Sequence, residues 1–203
     1  MPWKGLVPPG ATLPENSWKR SVHDLSASEM IRELYQLLTM INADEKLVAS
    51  FEQNMTVLSS REDPLYSLRL AVIEPTVTKL LVDSAAKNRW RADMEIDVSR
   101  DEGRPNPQTG PWSVVVGRLR IENGGWEPLT LRESCNKIIH ADDIQPEFVV
   151  AGGQVPHLTG LIRSTGRLGG KKWEAEIDIT NYVRASLFNI YGGIDFTRGW
   201  IKL

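Results

Sequence analysis

Residues 89–100, RWRADMEIDVSR, alternate charged and apolar positions, and the formula returns as AEIDIT at 175–180. Residues two apart on a strand share a face and lie about 6.8 Å from each other. Glu95 with Asp97, or Glu176 with Asp178, would therefore approach the carboxylate spacing of an inverting glycosidase. One member of such a pair needs apolar neighbours to raise its pKa and hold its proton. The acid-bearing face offers none: Arg91, Asp93 and Ser99 flank the first pair. A half-buried strand is the expectation for each stretch, with Trp90, Ala92, Met94, Ile96 and Val98 facing inward and the acids in water. Trp90 and Trp173 are both expected on the inner face of a sheet.

Two further clusters carry groups capable of chemistry. CNKIIHADD places Cys135 and His140 beside Asp142 and Asp143, but a cysteine nucleophile needs a base close in space, which nearness in sequence does not supply. A metal site would need more imidazoles, and only His23 and His157 remain. A buried cysteine and a loop histidine are expected. RSTGRLGGKK contains Arg163, Arg167, Lys171 and Lys172 with no acid among them. Its glycines would let backbone N–H groups approach a phosphate, although Walker spacing and Gly-x-Gly-x-x-Gly are missing. This stretch is expected to be a solvated hairpin tip, with contact to a phosphate or an acidic partner as its functional alternative. The chain has no Gly-x-Ser-x-Gly elbow, His-Glu-x-x-His helix or EF-hand loop. No catalytic residue, metal ligand or cofactor is assigned.

Composition narrows the setting for these residues. The chain has 203 residues, 41% hydrophobic and 25% charged, enough for one large domain or two small ones with a real core. A net charge of -2 excludes a molecule built throughout to neutralise nucleic acid or an anionic membrane. With one cysteine, Cys135, neither an in-chain disulfide nor a multi-cysteine zinc site can form. No apolar run approaches the roughly 18 to 20 residues of a membrane helix. The opening residues, MPWKGLVPPGATLPENSW, put Pro and Gly where a signal peptide needs an unbroken apolar core. An intracellular protein is expected, in a cell's own cytoplasm or within a virion.

The elements that would position these groups can also be read. Residues 1–24 form a Pro-punctuated arm in which Trp3, Leu6, Val7 and Trp18 are candidate anchors. Ser26 and Glu29 make a capping box for a helix carrying Ile31, Leu34, Leu38 and Ile41. Asn42 and Glu45 suggest that a second helix starts there. Asp63-Pro64 resembles a third start, YSLRLAVIE alternates like a strand, and Pro75 would open a helix ending near Asn88. From 89 onward the period becomes two. WSVVVGRLRIENGGWEPLTLR reads as a hairpin turning at Asn123-Gly124, with Pro128 marking an edge strand. EFVVAGG is a short strand and HLTGLIRSTGRLGGKKWEAEIDIT a second hairpin. NYVRASLFNIYGG is a short helix, and IDFTRGWIKL a last strand.

The expected class is α+β: an arm at 1–24, a helical region at 25–88, and an antiparallel sheet or sandwich at 89–203, integrated with the helices into one domain. Short turns between sequential strands favour antiparallel pairing. Seven tryptophans, two of them in the arm, favour a non-enzymatic assembly protein that contacts copies of itself, such as a viral shell or matrix subunit. The alternative is an enzyme or small-ligand binder with a pocket built from loops 101–111 and 133–145.

Overall fold

The computed structural model describes residues 27–54, 63–101, 111–150 and 155–190. Within these, helices come first and an antiparallel five-stranded sheet follows, the α+β arrangement expected from the sequence.

Helix α1 spans Ala27–Asn54. Met30, Leu34, Leu37, Ile41, Val48 and Phe51 are all buried along it, a stripe at helical spacing. The break expected at Asn42 does not occur. Its side-chain amide donates to the Leu38 carbonyl one turn back (2.7 Å) instead of capping a new helix. The capping serine, Ser26, lies outside the described residues.

Helix α2 spans Pro64–Asp101 and replaces three separate expectations. It starts where Asp63-Pro64 suggested: the Asp63 carboxylate accepts the Leu65 N–H (2.8 Å), and proline, which lacks an N–H, occupies the first helical position. YSLRLAVIE is helical, and Pro75 lies inside the helix instead of opening it. Pro75 and Ala71, whose carbonyl loses its partner, are both exposed, so water can satisfy the gap.

The strand expected over 89–98 is also helix. Val77, Leu81, Ala85, Asn88 and Ala92 are buried at intervals of three and four, and they carry the helical register straight through this stretch. Of the alternating apolar set, Ala92 reaches the core, Trp90 and Ile96 are half-buried and Met94 is exposed. Arg89 pairs with Asp93 one turn on (3.0 Å). The boundary placed at 88/89 therefore falls inside a continuous helix. Glu95 and Asp97 do not share a strand face.

After a 3-10 turn at Pro111–Ser113 come β1 (Val115–Ile121), β2 (Trp126–Thr130), α3 (Leu131–Ile139), β3 (Asp143–Val149), β4 (His157–Leu168), β5 (Lys171–Asp178) and α4 (Ile179–Ile190). The sheet order is β2-β1-β5-β4-β3, antiparallel throughout. Pro128 lies on the edge strand β2, as its missing donor requires. Gly169 and Gly170, with φ of 57° and 83°, make the tight β4–β5 turn that two left-handed residues permit. Residues 131–139, expected in part as loop, form α3, where the Thr130 hydroxyl accepts the Glu133 N–H (3.4 Å) in an ordinary N-cap. The final strand expected from IDFTRGWIKL lies outside the described residues.

One face of the sheet packs on the helices. Val116, Leu119, Leu129, Ile162, Trp173, Ala175 and Ile177 join residues of all four helices in one apolar core. Strands alternate as a half-buried sheet must, so Arg118, Arg120, Arg163, Glu174 and Glu176 occupy the other face.

Candidate functional site

The carboxylates that first suggested catalysis have structural partners. Glu176 accepts from Arg118 (2.6 Å) and lies 3.4 Å from Arg163. Glu174 pairs with Arg120 (2.5 Å) and Arg163 (3.4 Å). These are cross-strand neighbours, Arg118 opposite Glu176 and Arg120 opposite Glu174, so sheet register itself brings opposite charges together. Asp178 accepts the Asn181 N–H (2.9 Å) and caps α4. Both acids expected in open water are half-buried for these reasons. Trp126 lies under this ladder, with the guanidinium carbons of Arg118 and Arg120 at 4.5 and 4.8 Å from its ring centre.

Cys135 is fully buried on α3. Burial pushes its thiol up to about 12, so thiolate, the nucleophilic form, is scarce at neutral pH. His140 is exposed at the end of α3, Asp142 and Asp143 are exposed at the start of β3, and His157 begins β4. Among the described residues no group of His, Cys, Asp and Glu is arranged to hold a metal ion. His23 lies outside the described residues. A polar network that the sequence did not reveal sits at the α2–α4 contact. The Tyr182 and Ser84 hydroxyls are 3.0 Å apart, and Asn88 donates to Ser186 (2.8 Å) and accepts from Asn189 (3.0 Å). Burial raises the Tyr182 hydroxyl pKa, which keeps it a neutral hydrogen-bonding group.

Two surfaces remain. The first is the β4–β5 hairpin tip, where the basic cluster divides. Arg163 belongs to the charge ladder, with Glu147, Glu174 and Glu176 around it. Arg167 and Lys172 are direct cross-strand partners, and both are exposed. Like charges placed opposite one another destabilise a sheet, and neither side chain forms a salt bridge among the described residues, although the Glu122 carboxylate accepts the Lys172 backbone N–H (3.0 Å). Both line a cleft of about 630 Å³ with Arg120, Asn123 and Thr165, although Glu122 and Asp142 share it. Lys171 is exposed beside them.

The second surface is apolar and lies between α1 and α2. Met40 and Leu47 from α1, with Leu65, Leu68 and Val72 from α2, line a groove of about 390 Å³. Leu65 and Leu68 are 57% and 58% exposed. The residue that follows Leu68 inverts the usual rule, since Arg69 is buried. Its guanidinium grips both Asp44 carboxylate oxygens (2.6 and 2.7 Å) and donates to the Pro156 carbonyl (2.9 Å). Asp44 also accepts the Leu158 N–H (2.8 Å). Arg69 Nη1 is buried without a hydrogen-bond partner among the described residues.

The four anchors read from the arm, Trp3, Leu6, Val7 and Trp18, lie outside the described residues. The candidate pocket walls fare differently: 102–110 lies outside them too, and 133–139 is helix α3. Residues 141–144 do border an open cleft of about 650 Å³ against Glu74, Thr78, Lys79 and Asp83 of α2. Among the described residues no helix is long and apolar enough to cross a membrane. No protein-family model matches the chain, and no curated protein or solved structure is significantly similar to it.

Proposed function

We propose that this protein is a non-enzymatic assembly protein that associates with copies of itself through its helical layer. The observation that carries the proposal is the α1–α2 groove, where Leu47, Leu65, Leu68 and Val72 form a contiguous apolar surface in water. Scattered exposed leucines need no explanation, but a contiguous groove of them marks an interaction site. Covering it gains roughly 25 cal/mol per Å² of apolar area removed from water. Shell and matrix subunits are the kind of protein that use such repeated self-contact. Mass photometry of the full chain across concentration should show a defined oligomer, and Leu68→Glu should shift it toward monomer. A strict monomer at every concentration overturns the proposal.

A secondary contact with an anionic group belongs at the hairpin tip, supported by the opposed Arg167 and Lys172. A phosphate or a partner carboxylate there would relieve their repulsion. In titrations with inorganic phosphate and with a glutamate-rich peptide, amide shifts should centre on residues 165–172, and Arg167→Gln with Lys172→Gln should abolish them. No shift with either probe would remove the site.

A further inference from the structure

We infer that the segment Leu13-Pro14-Glu15-Asn16-Ser17-Trp18 of one copy docks in the α1–α2 groove of a second copy, with Trp18 as its anchor. This inference rests on the self-association proposed above and names its contact.

The groove states what its occupant must offer. Its walls are aliphatic, so it takes an apolar body. Its floor is the Arg69–Asp44 pair, whose charged atoms are buried beneath the leucines, so the surface that the groove offers is apolar. The neighbouring acceptor is committed, because Asp44 already serves Arg69 and the Leu158 N–H. A ligand that suits this site brings large apolar side chains on a stiff, extended chain. LPENSW carries Leu13 and Trp18 on either side of its polar residues, with Pro14 between them. Pro14 has no N–H to leave unsatisfied, and proline pre-sets extended geometry. Trp18 presents a large apolar surface at a small cost in rotamer freedom.

Chain length decides between a copy's own groove and its neighbour's. Helix α1 begins at Ala27, and the groove centres near Ala43, sixteen residues along the helix or about 24 Å away. Trp18 precedes Ala27 by nine residues, a span of at most about 30 Å when fully drawn out. Docking at home would hold the link nearly taut from the start of α1 to Ala43, with the loss of chain entropy that tautness brings. A second copy imposes no such strain, and exchange of two arms closes a two-fold dimer.

A photo-reactive benzophenone amino acid at position 18 of the full chain, mixed with isotopically heavy full chain, tests the contact directly. Light-to-heavy cross-links into residues 40–73 are expected. Cross-links confined within one copy, or directed elsewhere, overturn the inference. In mass photometry, Trp18→Ala and Leu68→Glu should each weaken association about tenfold or more. The double variant should be little worse than the more severe single one, because both remove the same contact. If Leu68→Glu dissociates the oligomer while Trp18→Ala leaves it intact, the arm is not the occupant and the self-association proposal stands. If the wild-type chain is a strict monomer, both fall together.

Discussion

The outer face of the sheet and the outer face of the helical pair are both open surfaces, built in opposite ways. On the sheet, the charge rows away from the hairpin tip close on themselves: Arg118 meets Glu176, Arg120 meets Glu174, and Trp126 is covered by two guanidinium groups. On the helices the charged pair lies inside, and Leu65, Leu68 and Val72 face water. Net charge and mean hydropathy do not distinguish these surfaces, because both average over the whole chain. What separates them is whether the groups at the surface are already satisfied. Away from the hairpin tip the sheet face is finished, whereas the helical face leaves its leucines uncovered.

Substitutions can break or sharpen that contrast. The largest effect should come from Asp44→Ala, which leaves the Arg69 charge buried without its partner. A loss of about 3–5 kcal/mol in urea unfolding is expected, since removing one member of a buried pair strands the other. Gly166→Ala should cost about 1–3 kcal/mol by overpacking, because its new Cβ would sit 2.4 Å from the buried Trp173 ring and 3.0 Å from the His140 carbonyl. On the finished face, Arg120→Ala should cost no more than about 1 kcal/mol by the same measurement, as exposed ion pairs contribute little. Leu68→Glu should change stability least, within about 0.5 kcal/mol, while altering association. An Arg120→Ala loss as large as that of Asp44→Ala would end the distinction between a buried and a surface pair.

The parts of the fold legible in the sequence are those whose signals agree. β1, β2, β4 and β5 combine period-two alternation with Asn-Gly or Gly-Gly turns, and their pairing follows. The 89–98 stretch alternates equally well but is helix, because register inherited from Leu81, Ala85 and Asn88 outweighs a local pattern. Its composition gave a warning: Arg, Ala, Met and Glu favour helix, and no β-branched residue appears before Ile96. α3 is too short for its period to show in the sequence, although Thr130 and Glu133 are spaced as a capping box. The hairpin tip could be located from its glycines and basic residues, but the removal of Arg163 into the ladder depends on cross-strand neighbours. The groove was not legible. A sequence shows that Leu68, Arg69 and Leu70 adjoin, and only tertiary packing reveals that the arginine is the one inside.

The floor of that groove also sets a timetable. Asp44 and Arg69 come from the early part of the chain, yet two of the bonds that make their burial tolerable come from Leu158 and Pro156. Asp44 and Leu158 are 114 residues apart. At roughly 5–20 residues per second of synthesis, the helices wait about 6 to 23 seconds for those partners. Until then, drawing Asp44 and Arg69 out of water costs more than their attraction returns, and the helical pair has reason to stay loose. The surface that would recruit another copy therefore takes its shape only once β4 has been made. Under the proposed self-association, a nascent chain is thereby less able to capture its neighbour before it has finished its own fold.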